Sequence, residues 1–284
     1  MKKYFILSDI HSFFYEMKKS LDSAGYQKEN PEHILIVCGD VFDRGPETIS
    51  VYNFLSSIPI ERCILIRGNH EQVYLHLLEK SYPTNVYFDI GTVNTFCSIA
   101  QIPLERLYYS RGRKNIDPQE EWRKIVQKVA KHPITRWLQS TQWRNYYELG
   151  KYIFVHSFIP TKTAPTQAQL VHNWRTEATE GQWNFASWGC PWKDYLNGLF
   201  DEESEKGKVL VCGHWRTGDF FDYLNHDPSY RYSLAPIYYS HDFIGLDGGY
   251  IEVSDRNYHF KQNVLVINED NMDACYDQDG NLLQ

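Results

Sequence analysis

Five times in this chain a short apolar run stops abruptly at Asp, Asn, His or Gly, and this recurrence narrows the fold to one that gathers strand ends at a single edge. Residues 4–7 lead into Asp9-Ile10-His11, and residues 34–38 into Gly39-Asp40-Val41-Phe42-Asp43-Arg44-Gly45. Residues 63–66 lead into Gly68-Asn69-His70-Glu71, 152–155 into His156, and 209–212 into Gly213-His214. Runs this short, bounded by turn-forming residues, read as buried strands. After the first, Phe14, Met17, Leu21 and Ala24 recur at helical spacing, with Gly25 as a stop. After the second, Pro46 suits the first position of a helix whose apolar face carries Ile49, Tyr52 and Leu55. After the third, Val73 and Leu77 share a helix face. Three strand–loop–helix units in succession predict a mostly parallel or mixed sheet covered by helices. Such sheets collect their sites at the carboxyl ends of the strands, where all five blocks fall.

Residues 81–150 break this rhythm. They are rich in Tyr, Trp, Arg and Lys, with Trp122, Ile125 and Val129 marking one amphipathic helix, and they read as an insertion or cap. A second irregular stretch, 161–207, carries Trp174, Trp183, Trp188 and Trp192, read as core fillers of that insertion. The tail alternates in β fashion over 243–246, 250–253 and 263–267, with Gly248-Gly249 expected as a tight turn. The expectation is one domain over 1–284. With 42% hydrophobic residues, the chain can fill a large core.

Composition restricts the partners. The net charge is −7, which argues against broad nucleic-acid binding. No apolar run approaches the ~20 residues that span a bilayer, and the apolar stretch before Ser8 and Asp9 is too short for a signal peptide. Six cysteines without a C-x-x-C pair read as reduced core thiols, so a cytoplasmic location is expected.

The blocks supply two carboxylates, one amide and three imidazoles, a donor set for manganese, iron or zinc. Asp40 is the candidate to bridge two ions, since a carboxylate has two oxygens to share. Asp9 and His11 would complete one ion's ligands, their spacing of two setting both on one side of an extended segment. Asn69, His156 and His214 would complete the other. Two divalent ions bring four positive charges against two anionic ligands, so the centre stays cationic and attracts a phosphate ester. Paired ions about 3.5–4 Å apart suit in-line displacement. Arg44 can fork two phosphoryl oxygens. His70, next to Asn69, can protonate the departing oxygen while Asp43 holds its ring. Arg175 is a second phosphate-binding candidate, whereas Arg67 reads as an ion-pair partner. Asp247 reads as a support or turn residue, and Glu71 as a helix N-terminal acid. His172, His226, His241 and His259 lack the strand-end context.

Taken together, D-x-H at 9–11, G-D-x-x-D-R-G at 39–45, G-N-H-E at 68–71, the V-H and G-H pairs, and the late strand 243–249 resemble the calcineurin-like metallophosphoesterases. The resemblance is to the bacterial phosphoprotein phosphatase branch, and its motifs span residues 9–249 in the family's order. It implies a four-layer αββα sandwich with two central mixed sheets. It also implies hydrolysis of phosphomonoesters by direct attack of a hydroxide held between the ions, with no phosphoenzyme. Ser12 stands where a Gly usually follows the His, and Ser157-Phe158 follow His156, so modest local adjustment is expected. The last block, Gly213-His214-Trp215, has no second His after it, which points away from phosphodiesterase relatives of the G-H-x-H type. A serine/threonine protein phosphatase is the first expectation, a dinucleoside tetraphosphate hydrolase the second, and a non-catalytic metal-holding scaffold the third.

Overall fold

The three leading units form as their periodicity demands. In the computed structural model, which describes all residues except 110–116, 163–167, 201–202, 232, 255–256 and 284, β1 (Lys3–Leu7) is followed by α1 (Phe14–Ser23). Next come β2 (His33–Cys38), α2 (Thr48–Ser56), β3 (Cys63–Ile66) and α3 (Asn69–Leu77). The three strands pair in parallel, with Phe5 beside Leu35 and Val37 beside Leu65. One edge of this seven-stranded sheet continues through antiparallel Leu265–Asn268, Asn271–Tyr276 and Leu282–Leu283, the other through Trp143–Arg144. A second, five-stranded sheet has Tyr152–Val155, Val209–Cys212 and Phe243–Gly245 in parallel at its centre.

The side-chain period of two sorts each strand between two cores. Phe5, Leu7, Leu35, Val37 and Leu65 face Met17, Leu21, Val51, Leu55, Tyr74 and Leu77 of the helices. Ile6, Ile36, Ile64 and Ile66 face the other way, onto Phe154, Val211 and Ile244 of the second sheet. The second sheet turns Ile153, Val155, Leu210 and Phe243 outward, under Trp174, Trp183 and Trp192. The result is an α/β sandwich of four layers: helices, sheet, sheet, helices. Because the inner strands are buried on both faces, they read as continuous apolar runs.

Three local expectations are corrected. Pro46 lies outside α2, which starts at Thr48 with Glu47 as its cap. Pro46 instead follows Gly45, whose N–H donates to the carbonyl of His11 at 2.8 Å and so holds that loop against the β1 loop. Gly248-Gly249 is not a turn between strands but lies within Asp247–Ser254, where the pairing with Asn257–Gln262 shifts register. Gly249 has φ +85°, a conformation that suits glycine at a bulge. Within 81–150, the helices Thr92–Ala100 and Pro118–Lys131 bury Val93, Phe96, Trp122, Ile125 and Val129 in the same core as β1–β3. They are part of the outer layer, not a cap upon it. Pro118–Lys131 begins with Asp117 accepting the N–H of Gln119 and with proline at its first position.

Candidate metal centre

The loops leaving β1 and β2 lie against each other and are locally strained. Asp9, His11, Ser12, Asp40, Asp43 and Arg44, together with His214 after the strand Val209–Cys212, all have φ between +46° and +73°. Each such residue costs of order 1–3 kcal/mol and persists only where its surroundings hold it. Backbone bonds between the loops do so: Asp9 N–H to Gly39 O at 3.0 Å, His11 N–H to Asp40 O at 2.9 Å and Ser12 N–H to Val41 O at 2.9 Å. Asp9 and His11 therefore approach each other (Oδ1 to Nε2, 3.8 Å) through a left-handed turn, not through the extended segment expected from their spacing.

Glycine makes the convergence sterically possible. A Cβ on Gly213 would lie 1.9 Å from Ser8 Oγ and 2.0 Å from Asp9 Oδ2. A Cβ on Gly68 would lie 2.2 Å from Asp40 Oδ1. Glu71 does more than start α3. Its buried carboxylate accepts N–H bonds from Gly68 at 2.8 Å and from Asp40 and Val41 at 2.9 Å each. It braces the β2 loop against the β3 loop.

Asp40 stands at the crossing of two groups whose ligand atoms lie within 4.8 Å of one another: His11, Asp40 and His70, and Asp40, His156 and His214. Its Oδ2 is 3.8 Å from both His11 Nε2 and His70 Nε2, and its Oδ1 is 3.4 Å from His156 Nε2. Asn69 Oδ1 and His214 Nδ1 come within 2.8 and 3.1 Å of that same His156 nitrogen. All six expected ligands thus lie in two adjoining clusters. His156 Nδ1 faces the carbonyl of Cys38 at 2.8 Å, and His11 Nδ1 that of Phe42 at 2.9 Å. A carbonyl only accepts, so Nδ1 carries the proton in both rings and each Nε2 presents a lone pair inward. The lone pair of His156 Nε2 then faces the Asn69 oxygen, an arrangement that a cation resolves. The buried Asp9 Oδ1 accepts no hydrogen bond among the described residues, while Oδ2 takes the Ser8 hydroxyl and the His214 N–H. The donor set fits divalent cations.

The electrostatics agree. Burial drives the His11 and His156 pKa values down, and holds His214 at about 3. Each shift favours the neutral imidazole, the form that metal ligation requires. Burial would raise Asp40, but the surrounding histidines outweigh it and its pKa falls. Asp9 is raised by burial and by the neighbouring Asp247 and Asp40 carboxylates. Burial also lifts Asp247, to about 6.

His70, Asp43 and Arg44 adjoin this cluster. His70 Nδ1 lies 2.6 Å from Asp43 Oδ2. Thr92 and Thr95 also donate to Asp43, each at 2.6 Å. Arg44 contacts His11 Nε2 through one guanidinium nitrogen and approaches His70 Nε2 at 3.3 Å through the other. Its Cζ sits 4.8 Å above the Tyr250 ring. With His214, Trp215, Asp247 and Tyr250, Arg44 lines a cavity of about 510 Å³. Burial lowers the His70 pKa, but Asp40 and Asp43 outweigh it and the net shift is upward.

Arg175 does not join the centre. Its guanidinium is taken up by Glu148 (2.7 Å) and Glu205 (2.8 Å) and lies over Trp174, so that arginine is a structural cross-link. Arg67 pairs with Glu180 at 3.8 Å. Ser8, Thr92, Thr95 and Tyr250 are the contributors that sequence reading missed. Ser8 is adjacent to a candidate ligand, Asp9, and could have been suspected. The threonines are ordinary helix residues with no local signal.

A family model described as calcineurin-like phosphoesterase matches residues 2–217. The chain is 33% identical over 97 residues to the asymmetrical bis(5'-nucleosyl)-tetraphosphatase PrpE of Bacillus subtilis, covering 31% of this chain and 39% of that protein. It is 38% identical over 69 residues to C06A1.3 of Caenorhabditis elegans, named provisionally as a serine/threonine-protein phosphatase, covering 23% of this chain and 18% of that one. The matched stretches thus span about two fifths or less of these relatives. In fold, the chain is similar to the cold-active protein-tyrosine phosphatase of a psychrophilic Shewanella species, with TM-score 0.53 and 15% identity over 100% of this chain and 81% of that one. With the family match covering most of its length, this chain belongs to the calcineurin-like phosphoesterase family.

Proposed function

We propose that the whole chain acts as a two-metal phosphomonoesterase. The observation that carries this reading is the contiguity of Asp40, set between two histidine groups, with the His70–Asp43 pair and Arg44. Asp9, His11 and Asp40 would hold one divalent ion, and Asp40, Asn69, His156 and His214 the other, with manganese the first candidate and iron or zinc the alternatives. When bound, such ions supply Lewis acidity and lower the pKa of water toward neutrality. The remaining work falls to the protein. Arg44 orients the phosphoryl oxygens through a guanidinium fork. A water oxygen forms the new bond to phosphorus and the ester P–O bond breaks. The departing oxygen keeps the bonding pair and takes a proton from His70 Nε2, and His70 is restored by the proton the water loses. Asp43 holds the ring in the orientation this transfer needs. Six free cysteines support a reducing compartment, and hence the cytoplasm. No helix among the described residues is long and apolar enough to cross a membrane.

For the substrate, a phosphorylated serine or threonine side chain is the first reading. A dinucleoside tetraphosphate is the second, favoured by two exposed indoles. Trp188 and Trp215 stand with ring centroids 6.4 and 6.5 Å from that of His214, and such faces suit base stacking. The stretch similar to PrpE adds to this second reading. The test is one comparative assay with manganese on a phosphopeptide, diadenosine tetraphosphate, a phosphorylated nucleic-acid end and an aryl phosphate. Preference for the dinucleotide removes the first reading. No turnover of any of them, with metal bound, leaves a scaffold.

A further inference from the structure

We infer that Thr92 and Thr95, from the helix Thr92–Ala100, are positioning residues that fix which nitrogen of His70 carries its proton toward the ester; this rests on His70 being the general acid. The two threonines are one helical turn apart, so both hydroxyls project from the same face. Thr92 Oγ1 donates to Asp43 Oδ2 and Thr95 Oγ1 to Asp43 Oδ1, each at 2.6 Å. The His70 Nδ1 contact is to the Oδ2 that Thr92 also holds, again at 2.6 Å. Asp43, Thr92, Thr95 and His70 are 0%, 0%, 2% and 4% exposed. Bulk water therefore cannot take over these bonds.

A carboxylate receiving two hydroxyl protons is committed to accepting, so the imidazole must donate through Nδ1. Nε2 is left as the nitrogen that faces Arg44 and Asp40, so it is the one that carries the second proton of the charged ring, gives it to the departing oxygen and is reprotonated by the proton the water loses. With the hydroxyls gone, the carboxylate is free to swing or to take up another partner, and the ring loses its reference. The helix is set in place from two sides. At its start, a Cβ on Gly91 would lie 2.6 Å from the Arg44 nitrogen, so the helix abuts the backbone of the phosphate-orienting residue. On its other side, Phe96 stacks on Trp122 with centroids 5.5 Å apart. A segment that carries none of the family's motif blocks thus tunes the centre by holding its proton donor.

The dependence on leaving group isolates this role. An aryl phosphate departs without help, whereas an alkyl phosphate such as phosphoserine needs the proton. In the Thr92→Val, Thr95→Val double variant with manganese, kcat on the alkyl ester should fall about 10–100-fold, at least tenfold more than on the aryl ester, the range found when an outer partner of a functional histidine is lost. KM and metal content should stay near those of the wild type. Thr92→Ser with Thr95→Ser should restore turnover to within about threefold, since the hydroxyls remain. Long-range ¹H–¹⁵N spectra of the metal-free protein, at a pH where the ring is neutral and with the His70 ring assigned by its absence in His70→Ala, should show Nδ1–H in wild type and mixed tautomers in the valine variant. Equal losses on both esters, a change confined to KM, or an unchanged tautomer would overturn the inference. If His70→Ala itself loses equally on both esters, the general-acid reading fails first. Should the double variant not fold, Thr92→Val alone, which removes only the bond to the shared oxygen, decides by the same readouts.

Discussion

Glu71 offers the sharpest test of how the centre is built. Its carboxylate is 1% exposed and receives three backbone N–H bonds, from Gly68, Asp40 and Val41. Burial and the nearby Asp40 lift its pKa to about 7, so its charge is tolerated there at a cost. Glu71→Ala leaves three buried N–H groups without their acceptor. At about 1–2 kcal/mol for each such group, with some relief from water entering the vacated space, the metal-free protein should lose about 3–5 kcal/mol. Glu71→Gln keeps one oxygen, able to accept from Gly68 and Asp40, but sets an amide nitrogen against the Val41 N–H. That lost bond costs about 1–3 kcal/mol, offset in part because a charge is no longer buried beside Asp40. The expected order of stability is wild type, then Gln, then Ala. Urea unfolding in the presence of chelator measures it. Competition with a chromophoric chelator should then show manganese affinity weakened about 10–100-fold in the Ala variant, because Asp40 is less firmly oriented. A Glu71→Ala protein within about 1 kcal/mol of wild type, with normal metal affinity, would refute the bracing role.

Asp40→Ala should lose both metal equivalents and Asp9→Ala one, read by elemental analysis of purified protein. Gly213→Ala should cost about 3 kcal/mol or more in a thermal melt, because its Cβ meets Ser8 and Asp9 well inside contact distance. The Glu205 carboxylate should govern part of the acid limb. Burial alone would raise its pKa, but bonds from Arg175 and Trp174 bring the net value below the usual 4.5. A depressed folded value contributes stability that is present above the unfolded pKa and lost as pH falls through the folded one. Glu205→Gln should accordingly be less stable at neutral pH but lose less on acidification below about pH 4.5, as followed by Tm across that range.

The strain in the centre has a physical counterpart in its glycines. Seven non-glycine residues there take up left-handed backbone, and Gly68 and Gly213 stand where no Cβ fits. Conformational energy is stored where donor atoms must converge, and it is held by backbone bonds between loops and by Glu71.

The chain alone was enough to read a sheet covered by helices and the blocks that end its strands, because both depend on local order; the second sheet was expected only from the family resemblance. Apolar runs ending in Asp9, Asp40, Asn69, His156 and His214 encode strands with ligand-type residues at their carboxyl ends, and the packing of the two sheets brings those ends together. Local order also marked the helix at Trp122, Ile125 and Val129. What it could not encode was contact between distant segments. Arg175 was a phosphate-binding candidate in sequence and is bound to Glu148 and Glu205, one from an antiparallel strand and the other from a short 3-10 helix. Gly248-Gly249 looked like a turn and serves a bulge that sets Tyr250 beneath Arg44. The spacing of Asp9 and His11 suggested an extended segment, yet bonds to the neighbouring loop impose a left-handed one. Thr92 and Thr95 reach Asp43 across about fifty residues of chain, and Glu71 reaches Asp40 and Val41 across about thirty. Residue type sets which chemistry a group can perform. Hydrogen-bond partners, which only the folded chain assigns, set where that group points and whether it is free to act.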